Sequence, residues 1–526
     1  MWIQLIAKQV NGLMKKTLVL AVLTGILFAL SFPPFSSGFI AYGALIPFFY
    51  LLNNRSFKET IRLGYLSGFF IHLTTLFWVG NVTMPGVAGM LLILPLFTML
   101  YGVLHRLVLL RLPRTGFVFL PFVWTAVEYL QSFGETAFPW IYLGYTQTYY
   151  LPVIQFAEYT SVFGVTFWVF SLNIILYHLL FGFSEKPNRK LWLIIWMVLF
   201  LLPFGFGLST SARLQNDSDS VRIALIQGNI DPFEKWNSAN TERQFVLYDS
   251  LTREALSSNP DLVIWPETAM PFYLRYEYRY LRRIRQLIDT SDVVLLTGSI
   301  DLSSDEGEHR YYNAALQLRP DEEKINSYGK RKLVPFSERV PYSDFFPISS
   351  LRDWLMETSL GVGDYSRGAE YTLFYLTSDS CAQASADSGF AFAVPICYES
   401  TFPELVRQFV KRGADFLVVI TNDAWFGRTS APYQHQQIAV MRAIETRRSI
   451  ARCANTGISC FIDPYGRVSQ RSRLFRQAVL VGDVKVTQRQ TFFVRHGNLF
   501  SQFTSLLSVL VVLFAIAKGT SKRGYR

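Results

Sequence analysis

The sequence predicts a membrane α-helical bundle of about eight spans that carries one inserted α/β domain. Three observations predict it: apolar residues gathered in span-length blocks, one long polar stretch without such a block, and basic residues confined to alternate connections. Half of the 526 residues are hydrophobic, with 45 Phe, 27 Tyr and 11 Trp, and only 17% are charged. One soluble core rarely holds so much apolar surface, whereas membrane spans do.

A span needs about 20 mostly apolar residues to cross roughly 30 Å of hydrocarbon. Blocks of this kind lie near 17–32, 37–52, 63–80, 86–110, 116–131, 161–182, 190–209 and 499–517, several of them short. The basic start before the first block could belong to a cleavable signal peptide, but the charge alternation continues only if that block stays as a span.

Lys8, Lys15 and Lys16 precede the first block, Arg55, Lys58 and Arg62 lie around the second connection, and Arg106, Arg111 and Arg114 border the fourth and fifth blocks. Lys186, Arg189 and Lys190 fall between the sixth and seventh, and Lys518, Lys522, Arg523 and Arg526 follow the eighth. The alternate connections 33–36, 81–85 and 132–160 contain neither Lys nor Arg. Basic residues mark the cytoplasmic side, so both termini are expected in the cytoplasm and the large domain outside it. This placement also accounts for the net charge of +11, and no nucleic-acid partner is expected.

Three regions follow: 1–212 with seven spans, an exported domain at 213–492, and a last span with a cytoplasmic tail at 493–526. In the exported domain Val221–Gln227, Asp261–Trp265, Val293–Thr297, Phe390–Ile396 and Phe416–Ile420 are short apolar runs rich in β-branched residues, and read as buried strands. Helical patterns at 241–256, 276–289, 402–412 and 434–453 separate several of them, which is the alternation of an α/β domain. All four cysteines, Cys381, Cys397, Cys453 and Cys460, lie in this domain, where a bridge is permitted but no pair is specified. No Cys/His spacing suits a metal, so no metal site is expected, and no cofactor either.

Catalytic side chains are expected just past strand ends, where the backbone leaves the sheet and side chains share a cleft. Glu267 follows DLVIW through Pro266, Cys397 ends FAFAVPI, and Asn422 with Asp423 follows DFLVVIT. Cys397, before a polar turn and a helix, suits a nucleophile whose thiolate amides and a nearby cation stabilise; a buried core cysteine is the plain alternative. Glu267 in a hydrophobic cleft would have a raised pKa and act as base and then acid; a helix-start or loop residue is its alternative. Lys330, in SYGKRKLVPFSERVP, offers a fixed ammonium for the thiol and for an oxyanion, against a solvated basic loop.

The order of WPE, Y-x-K-x-x-L-V-P-F-x-E and P-I-C-Y-E is similar to the nitrilase, or carbon–nitrogen hydrolase, superfamily. That resemblance implies an α-β-β-α sandwich with a Glu267, Lys330 and Cys397 set, and gives Glu338 a role in orienting the lysine or the substrate. A closer resemblance, over nearly the whole chain, is to the apolipoprotein N-acyltransferase family. QGNIDPFEKW (227–236), Asn313 in YYNAAL, TNDAWFG (421–427), PYQHQQIAVMRAIETRR (432–448) and ANTGISCFIDPYGRV (454–468) carry it, with VEYL (127–130) and FPW through LGYTQ (138–147) in the membrane part. Gly329, Lys332 and Ser337 depart from the family pattern and leave Lys330 and Glu338 in register.

The family implies an inner-membrane enzyme with a periplasmic catalytic domain. Its acyl donor is a phospholipid and its acceptor a diacylated apolipoprotein, with a thioester on Cys397 between them. The Tyr398 N–H would join Lys330 at the oxyanion, Glu399 would support the site, and Trp236, Asn313 and Trp425 would contact substrate. The aromatic stretch Phe138–Tyr150 suits a membrane interface, with a lipid-facing belt as the alternative. A membrane-tethered amidase would share the triad but gives no reason for seven preceding spans. A transporter would need ionisable residues deep in its spans, and here only a few, such as Glu128, Glu158, His72, His105 and Arg106, lie mostly toward their ends.

Overall fold

The computed structural model describes residues 2–182, 186–211, 219–305, 308–342, 365–376 and 389–521. The expected boundary at 212/213, Cys381 and the basic tail at 522–526 lie outside the described residues. The chain divides into two compact units, one formed by 1–80, 84–212 and 498–526, the other by 81–83 and 213–497.

The first unit is helical. Met84–Arg111, Ala157–Phe181, Arg189–Thr210 and Leu499–Lys518 are long and apolar enough to cross a membrane. Trp2–Leu30 and Phe57–Thr75 are further long helices. Two of the expected spans are short instead: Gly38–Leu52 and Gly116–Leu130 each start as a 3-10 turn before a brief α-helix. At 1.5 Å per residue, 15 residues rise only about 22 Å, less than the hydrocarbon layer.

Packing in this unit relies on small residues and on one buried carboxylate. Gly64 and Gly68, four apart on Phe57–Thr75, face the helix Pro95–Arg111; a Cβ on them would lie 2.8 Å from Met99 Cα and 2.9 Å from Thr98 Cβ. Their lack of a side chain lets the two backbones touch, the usual route to helix association in lipid. Glu128 Oε1 accepts from the Trp124 indole and the Leu143 N–H, both at 2.9 Å, and its Oε2 from the Thr166 hydroxyl at 2.6 Å. It thereby fastens Leu120–Leu130 to the 138–147 segment and to Ala157–Phe181. The large rings of the 138–147 segment do not face lipid: Trp140, Tyr142 and Tyr145 are buried, with Trp140 4.9 Å from the Trp78 ring and Tyr142 5.2 Å from Phe163.

The second unit holds two sheets. In the first, the strands run in the order Ala478–Lys485, Ser220–Gln227, Leu262–Ile264, Val294–Asp305, Glu308–Leu318, Asn326–Gly329, and Met270–Tyr273 adds to Val294–Asp305. The second has the order Val468–Ser469, Cys460–Ile462, Ile450–Ala454, Phe416–Thr421, Phe390–Ala393, Phe374–Leu376. The central pairs Ser220–Gln227 with Leu262–Ile264, and Ile450–Ala454 with Phe416–Thr421, are parallel, which explains their continuous apolar runs. The sheets meet face to face, and the Cys453 thiol reaches across to the carbonyls of Ile226 and Ile264 at 3.5 and 3.3 Å.

Helices cover the sheets. Thr241–Leu256 inserts Phe245 and Tyr248 beside Ala224, Ile226, Val263 and Trp265 of the first sheet. Pro403–Lys411 and Ala431–Thr446 belong to the half built on the second. The helix expected over 434–453 stops at Thr446, where Arg447 turns to φ +50° and its N–H returns to Ala443. Residues Ile450–Ala454 are instead a fully buried strand beside Phe416–Thr421. A run buried on every side has no period that separates helix from strand.

Candidate active site

Three strand ends converge. Leu262–Ile264 delivers Glu267, and the turn is made possible by Gly298 on the neighbouring strand, where a Cβ would lie 2.5 Å from Glu267 Cα. Asn326–Gly329 delivers Lys330, whose N–H donates to the Asn313 carbonyl at 2.8 Å and so sets it beside the strand Glu308–Leu318. Phe390–Ala393 leads to Cys397, which opens the 3-10 turn Cys397–Thr401 with φ +50°. A left-handed conformation at a non-glycine residue is strained, and such strain concentrates where the fold must aim one side chain.

Glu267 and Lys330 form a buried ion pair, 3.2 Å between Oε1 and Nζ. Asn313 Nδ2 donates to the same Glu267 oxygen at 2.7 Å, and the Asn422 N–H donates to Oε2 at 2.8 Å. Glu338 Oε1 accepts from Lys330 Nζ and from Asn313 Nδ2, both at 2.8 Å, and its Oε2 accepts from the Val334 N–H at 2.8 Å. Four side chains thus share two carboxylates, one ammonium and one amide with each donor aimed at an acceptor.

A second buried carboxylate ties two loops together. Glu399 Oε1 accepts from the N–H groups of Arg331 and Lys332 at 2.7 and 3.1 Å and from the Tyr328 hydroxyl at 2.8 Å, and its Oε2 from the Ile396 N–H at 2.8 Å. The lysine loop and the cysteine turn are therefore held in one register. Tyr398 is buried with its ring edge-on to Phe402 at 5.1 Å.

The electrostatics correct one expectation. Burial alone would raise the Glu267 carboxyl, but the Lys330 charge and the donors from Asn313, Lys330 and Asn422 outweigh it and hold the carboxyl below its usual range. Burial likewise opposes the Lys330 ammonium, yet Glu267 and Glu338 keep it well above the ordinary lysine value. The Cys397 thiol is pushed well up, first by burial and then by the Glu267 charge, with Lys330 pulling the other way. These shifts together favour a thiol at Cys397, a carboxylate at Glu267 and an ammonium at Lys330.

Trp236 and Trp425 stay out of the core. Trp236 is 46% exposed at the end of the turn Pro232–Lys235, and Trp425 is half-buried with its ring 5.6 Å from that of Phe233.

Further charged residues lie near Glu267, Lys330 and Cys397, among them Asp423 at the strand end that the sequence singles out. Lys235 is buried with Nζ 2.8 Å from the Thr268 hydroxyl and 3.4 Å from the Glu267 carbonyl, and burial lowers its pKa to about 7 against the pull of Glu267. Beyond Cys397 lies a sealed cluster of Asp423, His435 and Arg452, with Arg452 Nη2 2.7 Å from Asp423 Oδ2 and His435 Nδ1 3.0 Å from Oδ1. Cys397, Asp423 and His435 have potential ligand atoms within 4.8 Å of one another, but the Asp423 oxygens are engaged by Arg452 and His435, and the guanidinium puts a positive charge in the cluster. Cys397, Cys453 and Cys460 are free thiols.

A sandwich of two sheets with Glu, Lys and Cys at its strand ends is a carbon–nitrogen hydrolase domain, and residues 222–492 match the Carbon-nitrogen hydrolase family. Residues 24–175 match the family described as Apolipoprotein N-acyltransferase N-terminal domain. The chain is 34% identical to the apolipoprotein N-acyltransferase of Geobacter metallireducens, over 93% of this chain and 94% of that one. It is 33% identical to that of Chlorobaculum tepidum, over 97% and 98%. This chain belongs to the apolipoprotein N-acyltransferase family. Among solved structures, it is similar to Saccharomyces cerevisiae Nit3 of the nitrilase superfamily, with a TM-score of 0.37 and 16% identity over 51% of this chain and 90% of that one. An amidase from Nesterenkonia sp. gives 0.36 and 18%, over 52% and 94%.

Proposed function

We propose that this protein moves an acyl chain from a phospholipid, through a thioester on Cys397, to the N-terminal α-amine of an S-diacylglyceryl-cysteine apolipoprotein. The observation that carries the reading is the Glu267–Lys330 ion pair at the strand ends that also deliver a strained Cys397, in a chain whose helical part matches the same family.

In the first half-reaction Glu267 takes the Cys397 proton as the sulfur attacks the sn-1 ester. Lys330 and the Tyr398 N–H receive the oxyanion, and Glu267 returns the proton to the leaving lyso-phospholipid. Glu338 and Asn313 keep the Lys330 ammonium and the Glu267 carboxylate aimed while charge shifts between them. In the second half the acceptor amine attacks the thioester as Glu267 takes its proton, the C–S bond breaks, and Glu267 returns the proton to the released Cys397 sulfur. A carboxyl held low is a weak base toward a thiol held high, so free thiolate does not accumulate; the transfer belongs to the transition state.

Trp236 and Trp425, apolar and accessible, are assigned to the substrate's acyl or head-group region. The apolar helices and the charge alternation support an inner-membrane protein of up to eight passes, with both termini cytoplasmic and the catalytic domain periplasmic. A topology reporter fused after Gly207 should be active only outside the cytoplasm; activity inside it would reverse the orientation.

The rival reading is a membrane-tethered amidase whose thioester goes to water. Purified protein in phospholipid vesicles, given a diacylglyceryl peptide, should release one lyso-phospholipid per peptide acylated and show parallel double-reciprocal plots. Release of free fatty acid without peptide acylation would favour the hydrolase.

A further inference from the structure

The chemistry above uses groups from Glu267, Lys330 and the Cys397 turn, yet the sulfur has another polar neighbour. Phe416–Thr421 is buried throughout, and Ile420 pairs with Ile396, one residue before the nucleophile. That pairing brings Thr421 beside Cys397. Thr421 Oγ1 lies 3.2 Å from Cys397 Sγ and 2.7 Å from Asp423 Oδ1. A hydroxyl has one proton to donate, so it serves the carboxylate or the sulfur at any moment.

Asp423 keeps its other partners when the hydroxyl leaves. Arg452 donates to Oδ2 at 2.7 Å and His435 Nδ1 lies 3.0 Å from Oδ1. Burial opposes the Asp423 charge, but Arg452 and then His435 outweigh it and hold the carboxyl at about 2. His435 Nε2 in turn lies 3.0 Å from the Ser400 hydroxyl and 3.1 Å from the Cys397 carbonyl, so the cluster also braces the nucleophile's turn. The charged groups acting on the thiol are Glu267, Lys330 and Asp423.

We propose that Thr421 is a further catalytic residue: its hydroxyl donates to Asp423 while Cys397 is a thiol and swings to the sulfur as negative charge develops there. An anionic sulfur is a far better acceptor than a thiol or a thioester, which gives the swing its direction in each half-reaction. The proton balance is closed. The Cys397 proton passes to Glu267, the S–C bond forms, the ester C–O bond breaks, and Glu267 protonates the leaving oxygen. The Thr421 proton stays on its own oxygen throughout, and the hydroxyl returns to Asp423 once the thioester has formed.

The inference rests on Cys397 as nucleophile, and two readouts separate its failure from failure of that assignment. The full-length protein in detergent would be compared with Thr421→Val, Thr421→Ala and Thr421→Ser. The first readout is the rate of acyl-enzyme formation from phospholipid. The second is the pH profile of Cys397 alkylation by iodoacetamide, resolved by peptide mass spectrometry, which needs no lipid. Loss of a hydrogen bond to a charged group should slow acylation about 10- to 100-fold for Val and Ala. It should also move the alkylation profile about one pH unit or more upward, while Ser stays within a few-fold of wild type. A Val or Ala variant with the wild-type alkylation profile, or a Ser variant as impaired as Val, would overturn the proposal. If wild type alkylates normally but forms no acyl-enzyme, the acyltransfer reading fails instead.

Discussion

Glu128 in the helical unit and Glu267 in the α/β unit are both buried and accept three hydrogen bonds each, from different kinds of donor. Glu128 accepts from an indole, a backbone amide and a threonine hydroxyl, all neutral. Glu267 accepts from a side-chain amide, a backbone amide and the Lys330 ammonium. Neutral donors are enough to use a carboxylate as a clamp between helices. A buried ammonium adds a charge that can follow a proton or an oxyanion, and Lys330 is itself held by a second carboxylate, Glu338. Donor count alone does not separate the two acids; the charge of the donor and the thiol nearby do, and on these rests the catalytic role proposed for Glu267.

The largest expected effect breaks this symmetry. Glu267→Gln should slow acyl-enzyme formation by about 100- to 10,000-fold, the usual size of a lost general base, while the protein still folds. Glu128→Gln should leave that rate within a few-fold. Comparable losses in single-turnover acylation would make the distinction wrong. The next effect lies on stability. Glu128→Leu leaves three donors without their acceptor, each costing roughly 1–3 kcal/mol, and should lower the thermal midpoint in detergent markedly. An unchanged midpoint would remove Glu128 as a clamp.

A smaller effect separates a third buried acid, Asp423, from both. Its folded pKa of about 2 lies below the unfolded value near 3.9, so its contribution is complete above about pH 4 and is lost as pH falls toward 2. The difference amounts to roughly 2 kcal/mol. Thermal midpoints between pH 5 and 2 should fall less steeply for Asp423→Asn than for wild type. Equal slopes would mean that Arg452 and His435 do not hold the carboxylate as described.

Much of the site was legible because strand ends and short motifs are local. Glu267 and Cys397 each follow an apolar strand, so residue type and position can be read together, whereas Lys330 follows the polar strand Asn326–Gly329 and is legible only through its motif. What was hidden depends on partners far along the chain. The low Glu267 carboxyl needs Asn313, Lys330 and Asn422, which only the sheet pairing brings near. Arg452 was assigned to a helix, whereas it stands on a strand beside Phe416–Thr421 and reaches Asp423 from there. Thr421 looks like any strand-end threonine until the Ile396 pairing sets it against the sulfur. In the helical unit the aromatic stretch had the composition of an interface, but Trp78 and Phe163 bury it. Composition reports apolar surface and is silent about what covers it.

The most direct measurement is intact and peptide mass spectrometry of the purified protein after incubation with one defined phospholipid and no acceptor. A single acyl adduct on Cys397, removed by hydroxylamine and absent from Cys397→Ser, is the result expected of a thioester-forming transferase. An adduct on another residue, or lyso-phospholipid release that survives Cys397→Ser, would contradict the assignment of the nucleophile.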